Sequence, residues 1–420
     1  MFEFQDNHLC LKQGNRSIKL KDIAQQETNP FYLYDLDGMR DWYKLFKNSI
    51  PPQAGIFYAM KANNNFQVLK AFQEEGAGLD VVSGGEIALA KKMGFSPDKV
   101  IFSGVGKSKE EITMALQWGL LQINVESLEE LKAIHLIAKS LNLTASIALR
   151  VNPNVDIESH PYIRTGRVDH KFGIDETQIP QILDFIKQNR NTLYLQGLSQ
   201  HIGSQIFDLK SVLKAAQNLK SLYKNLLQEG FALKTLDLGG GLGVDYHTFG
   251  PDKDTLLLKK YGEMLKELFT DFSSHVLVEP GRFLTARFGM LCTRVEYVKK
   301  TPHKNFAIVN SGMHHFLRPA LYQAIHQIFP LQINSKKETY DVVGTICETG
   351  DIFGKNITLP TLKAGDWLVL ADTGAYGYVM SNNYNLQVPV KEIPFSKGTR
   401  LDSPSILSMV YEAKESHQNN

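Results

Sequence analysis

Eight times between residues 55 and 281, a short apolar or β-branched run gives way to a segment whose apolar residues recur at helical spacing, with Gly, Asn or Ser at the joints. A period of two buries one face of a strand and a period near 3.6 buries one stripe of a helix, so the alternation calls for a parallel sheet covered by helices. The runs are GIFYAMKA (55–62), GLDVVS (78–83), VIFSG (100–104), LQINVES (121–127), SIALRVN (146–152), LQGLSQHIG (195–203), TLDLGGG (235–241) and HVLVEPG (275–281). Between them lie amphipathic segments such as LEELKAIHLIAKSL and SVLKAAQNLKSLYKNLLQEG. Eight consecutive units in about 230 residues match a closed (β/α)8 barrel of the TIM type. A doubly wound sheet is the competing arrangement, but it rarely uses eight such units in a row.

Beyond residue 286 the texture changes to β-rich runs separated by turns: MLCTRVEYVKK, KNFAIVNSG, TYDVVGTICE and DWLVLADTGAYGYV. These predict a mainly antiparallel sheet domain. The N-terminal runs LCLKQGNRSIKL and PFYLYD also read as strands and could fold back onto it. The expected division is a barrel over 35–285 and a β domain made of 1–34 and 286–420, with AKESHQNN as a frayed tail.

Composition narrows function by exclusion. Forty-six Lys and Arg against 44 Asp and Glu leave a formal charge of +2, so no whole-molecule field recruits nucleic acid or an anionic membrane. The three cysteines, Cys10, Cys292 and Cys347, lie far apart without CxxC spacing, which argues against a disulfide framework or a cysteine zinc site. The acidic N-terminus lacks the character of a signal peptide and no apolar run approaches membrane-spanning length, so a cytoplasmic, soluble protein is expected.

In a barrel of this type chemistry sits at the C-terminal ends of the strands. Lys61 stands there, and period-two alternation sets it on one face with Phe57 and Ala59, reaching into the barrel mouth. Position alone would leave it an ordinary surface lysine. Other strand ends carry His201 and Ser204, the run Gly239, Gly240 and Gly241, and Glu279 with Arg282. Consecutive glycines let backbone N–H groups approach a phosphate, and an arginine adds charge. An imine-forming lysine, a phosphate cradle, a flat histidine ring and a carboxylate for a ring nitrogen are the parts that hold pyridoxal 5'-phosphate. On this reading Arg282 and partial desolvation lower the Lys61 pKa.

The ordered series FYAMKAN, DVVSGGE, RVNPNVD, HPYIRTGRVDHKFGI, HIGSQI, DLGGGLG, EPGR, RPALYQAIH, GTICETGD and DTGAYGYVMSNNYN, from about residue 31 to 385, resembles the motifs of the diaminopimelate decarboxylase family. The resemblance implies a pyridoxal-phosphate enzyme with an alanine-racemase-like barrel plus a β domain. It would convert meso-2,6-diaminopimelate to L-lysine and CO2, the last step of lysine biosynthesis. It further implies that Lys61 forms the imine, His201 stacks on the ring and Glu279 partners the ring nitrogen. Ser204, Gly240, Gly241, Arg282 and Tyr376 would face the phosphate. Arg282, Arg318, Tyr322 and Tyr376 would hold the substrate, Glu348 its distal amine. Cys347 would return the proton, reaching in from the second subunit of a homodimer with shared sites.

Guanidinium groups suit a distal carboxylate and Glu348 an ammonium, whereas lysine or ornithine would leave an arginine unpaired. Departures from the family pattern are His314 and His315 after Met313, Arg164 in HPYIRTG, and the absence of arginines after SNNYN. They leave decarboxylation of another basic or carrier-linked amino acid as the alternative. A non-catalytic cofactor carrier and a racemase are further competitors. GVGKS (104–108) lacks the first glycine of a P-loop, SVLK (211–214) lies inside a helix, and His135 and His170 show no ligand spacing. Adjacent His314 and His315 on a strand would face opposite ways, so no metal is predicted.

Overall fold

The computed structural model describes residues 1–153 and 171–410. Arg164, His170 and the tail 411–420 lie outside the described residues.

All eight expected barrel strands form: Ala54–Ala59, Gly78–Val81, Val100–Phe102, Gln122–Val125, Ala145–Arg150, Leu193–Ser199, Thr235–Asp237 and His275–Val278. Each pairs in parallel with the next, and the eighth closes on the first through Val276 opposite Ala54. Alternation decides what each face meets. Tyr58 and Leu79 pack outward against the helices, while Phe57, Ile101 and Leu277 meet inside the barrel. Three helices begin with the same device, in which Ser83, Ser108 and Ser127 accept from the backbone N–H of Glu86, Glu111 and Glu130. At Ser108 the Glu111 side chain returns the bond, a complete capping box. The P-loop-like string is therefore structural: Ser108 caps a helix, and Lys107 is buried on the carbonyls of Gly104 and Asn124 and on Glu130.

A polar run crosses the barrel interior. Thr235 donates to Gln122 at 2.6 Å, Gln122 to Asn124 at 2.8 Å and Asn124 to Ser103 at 3.0 Å. Such a run is tolerated because its members satisfy one another.

The second sheet takes the order Ile352–Pro360, Lys337–Val343, Asn305–Val309, Gly289–Lys300, Phe31–Asp35, Lys391–Ser396 and Thr399–Arg400. Trp367–Leu370 joins Gly289–Lys300 and carries Ile328–Pro330. The sheet is mainly antiparallel, as expected, with two parallel pairs: Phe31–Asp35 beside Lys391–Ser396 and Asn305–Val309 beside Lys337–Val343. PFYLYD thus joins it as expected. The first nineteen residues instead form their own three-stranded antiparallel sheet, whose Phe2, Leu9 and Leu11 pack on Phe31, Leu33 and Met290. Among the described residues no helix is long and apolar enough to cross a membrane.

Candidate active site

Lys61 lies just past its strand, in a single 3-10 turn over Met60–Ala62. Its amine is ion-paired with Asp80, a fully buried residue of the second barrel strand. Burial works to lower the Lys61 pKa, but Asp80 and then Glu279 outweigh it and the shift is upward. This corrects the expectation of a lowered pKa: carboxylates, not Arg282, surround the amine.

Glu279 is buried, and its pKa is raised by burial and by the carboxylates of Asp237 and Asp80. Asp237 is pushed up to about 6 by the same burial. Three buried acids around one lysine call for a further cation or proton, which a protonated ring nitrogen beside Glu279 would satisfy. The His201 Nδ1 lies 3.9 Å from Glu279 and accepts from the Gly240 N–H at 3.2 Å. Burial, with Arg150 and Lys61 nearby, keeps the ring neutral, its pKa well below the ordinary range.

The glycine run is needed for close approach. A Cβ on Gly240 would lie 2.1 Å from the Glu279 carbonyl oxygen, and one on Gly241 2.2 Å from that of Gly203, with Gly241 at φ +106. The run is only partly the cradle foreseen. Gly239 N–H donates to Asp237 at 3.0 Å, Gly240 N–H is spent on His201, and the next helix starts only at Asp252. The glycines therefore seat His201 against the strand ends. Ser204 and Arg282, 3.0 Å apart, are the polar pair left for a phosphate, and Arg282 Nε is buried without a partner.

Tyr376 completes this cavity. Its N–H donates to the Ala62 carbonyl at 2.7 Å, tying its loop to the Lys61 turn, and the Arg282 guanidinium sits 4.7 Å over its ring. Its φ of +55 is a costly conformation for a tyrosine and one that persists where packing imposes it. Lys61, His201, Ser204, Gly241, Glu279 and Tyr376 line one cavity with Arg282. Arg282 also lines an adjoining cavity of about 550 Å³ with Tyr246, Arg318 and Tyr322. The donor set, the close-packed glycine loop, the acid cluster and the orphaned Arg282 Nε all fit pyridoxal 5'-phosphate.

Cys347 and Glu348 are not brought to either cavity. Both are exposed on the turn between Lys337–Val343 and Ile352–Pro360, where Tyr384 donates to Glu348 at 2.8 Å. His314 and His315 are on a turn, not a strand, and their rings lie 3.7 Å apart instead of on opposite faces. His315 is bonded to Ser311 and Val388, and neither ring lines the two cavities. Among the described residues no three His, Cys, Asp or Glu side chains form a metal-ligand set. Sequence reasoning passed over Asp80, Asp237, Tyr246 and His326. The two aspartates had a signal, being lone acids within apolar barrel runs.

A parallel barrel whose mouth gathers a lysine, buried acids and an arginine–serine pair, beside a mixed β sheet, defines a pyridoxal-dependent decarboxylase. The model of the pyridoxal-dependent decarboxylase pyridoxal binding domain matches residues 36–286. Diaminopimelate decarboxylase of Aquifex aeolicus is 37% identical over 94% of this chain and 93% of its own, and that of Vibrio cholerae 40% identical over 93% of each. The crystal structure of the Helicobacter pylori enzyme complexed with L-lysine superposes with a TM-score of 0.86 at 36% identity, covering 94% of this chain and all of that one. The M. jannaschii enzyme with L-lysine gives a TM-score of 0.88 at 28% identity over 98% and 97%. The chain belongs to the diaminopimelate decarboxylase family.

Proposed function

We infer that this chain removes CO2 from meso-2,6-diaminopimelate and releases L-lysine, with pyridoxal 5'-phosphate bound in the cavity around Lys61. What carries the reading is the adjacency of two cavities sharing Arg282: one has an amine among buried acids, the other two buried guanidinium groups. A substrate with an amino acid at each end meets complementary charge in both.

Bound there, the cofactor supplies an aldehyde for the substrate amine and a ring that accepts the electron pair freed when CO2 departs. Lys61 anchors the aldehyde end, its Nζ held in place by the ion pair with Asp80. Glu279 pairs with the ring nitrogen, and the neutral His201 ring covers a face. Ser204, Gly241, Arg282 and Tyr376 face the phosphate, whereas Gly240, expected there from the sequence, gives its N–H to His201. Arg282, Arg318, Tyr322 and Tyr376 hold the distal carboxylate end, so remote contacts orient the reacting end.

The exposed Cys347 and Glu348 belong, in this proposal, to the site of a second copy of the chain, with Cys347 Sγ returning the proton and Glu348 binding the distal ammonium. The homodimer, the cytoplasmic location and the division into a barrel over 35–285 and a β domain of 1–34 and 286–420 are part of the same reading. The placement of Cys347 and Glu348 outside their own chain's cavities supports the homodimer. CO2 release from diaminopimelate, lysine, ornithine and arginine tests the substrate reading: activity on the first alone is expected, and activity on lysine with none on diaminopimelate overturns it. Lys61→Ala should lose the visible absorbance band of the purified protein, and an unchanged spectrum would remove Lys61 from its role.

A further inference from the structure

Two buried guanidinium groups lining one cavity repel each other, and each is free to rotate about a long side chain unless something holds it. Arg282 and Arg318 are 6% and 4% exposed, so water does little to screen them. Between them stands Tyr246, itself 6% exposed and lining the same cavity. Its Oη accepts from Arg282 Nη1 at 3.1 Å, and its ring lies 5.1 Å from the Arg318 guanidinium carbon. One side chain thus holds one arginine by a charged hydrogen bond and the other by its ring face.

The tyrosine is held in turn. Beside its ring, 4.7 Å between ring centres, lies His326, whose Nδ1–H donates to the Ala371 carbonyl at 2.9 Å. That leaves His326 Nε2 to accept from Arg318 Nε at 3.3 Å, which directs the rest of the guanidinium away from the histidine. The backbone around Tyr246 is clamped by Arg287, which donates to the carbonyls of Asp245 at 2.5 Å and Thr248 at 2.8 Å while paired with Asp254 and Asp372. A tyrosine fixed on both sides of its backbone and by the histidine packed beside its ring is a rigid spacer.

We propose that Tyr246 is a positioning residue that sets Arg282 and Arg318 as a pair for the distal carboxylate, and so helps determine the choice of a substrate with two carboxylates. The proposal rests on the diaminopimelate reading. Its test uses the holoenzyme and three ligands: diaminopimelate as substrate, L-lysine as an inhibitor that keeps the distal carboxylate, and 1,5-diaminopentane as one that lacks it. Tyr246→Phe, which keeps the ring, should raise KM for diaminopimelate and Ki for L-lysine roughly tenfold. Tyr246→Leu should raise both roughly a hundredfold. In each variant kcat should stay within about threefold, the visible band should persist, and Ki for 1,5-diaminopentane should hold. An unchanged KM, or equal weakening of both inhibitors, overturns the proposal. Should Tyr246→Leu fail to fold, Tyr246→Phe still decides. A wild-type protein that binds L-lysine no better than 1,5-diaminopentane would instead sink the two-carboxylate reading, and the proposal with it.

Discussion

Arg318 shows how a residue's surroundings turn a charge into a selector. Burial and the Arg282 guanidinium both act to lower its pKa, so it is most stable with an anion beside it. Arg318→Ala should weaken binding of diaminopimelate and of L-lysine by roughly 2 to 5 kcal/mol if the paired carboxylate is desolvated. Inhibition constants measured with the cofactor band intact would check this, and a loss below about tenfold would place the carboxylate elsewhere. Lys61 was legible as a residue because it ends a barrel run, yet its partner was not. Asp80 belongs to another run, and only the lateral pairing of Ala59 with Asp80 brings acid and amine together. The upward shift of the lysine follows from that pairing, which no single run contains.

Among elements, the barrel strands were readable because parallel strands buried on both faces are short apolar runs at regular spacing. The turn carrying His314 and His315 was not, because two adjacent polar residues carry no period. Both rings are buried there, and His314 has no partner on either nitrogen. Burial, with His315 alongside, pushes its pKa down to about 4 from an ordinary 6.5. The folded chain therefore binds that proton less readily than the unfolded one. The stability contributed by the neutral ring is complete above pH 6.5 and is lost as the pH falls to 4, by roughly 3 kcal/mol. His314→Phe keeps a ring and removes the titration, so denaturant unfolding at pH 7 and pH 4.5 should show a smaller acid loss than in the parent. Equal losses would mean the ring is not protonated on unfolding. The glycine run was legible as a close-approach device, but its use for seating His201 depends on which neighbouring strand end lies beside it.

For the whole molecule, the exposed placement of Cys347 and Glu348 makes assembly part of catalysis in the proposed dimer. Lys61→Ala and Cys347→Ala chains, each impaired alone, should regain activity when mixed and re-equilibrated. Random pairing leaves one intact site in half of the dimers, so about a quarter of parental activity is expected. No gain over the separate variants would confine each site to one chain. The mixed second sheet was only partly foreseen, since Ile352–Pro360 and Lys391–Ser396 are polar or short and their strand character comes from their neighbours. That sheet also sets an order of events. Phe31–Asp35 is buried along its whole length between Gly289–Cys292 and Lys391–Phe395. Its second neighbour is made ~360 residues after it, which at ordinary ribosomal speed leaves this greasy segment waiting for roughly 20 to 70 s. A nascent chain of this kind needs shelter during that interval, and trimming the far end back past Lys391 would expose a strand made near the beginning.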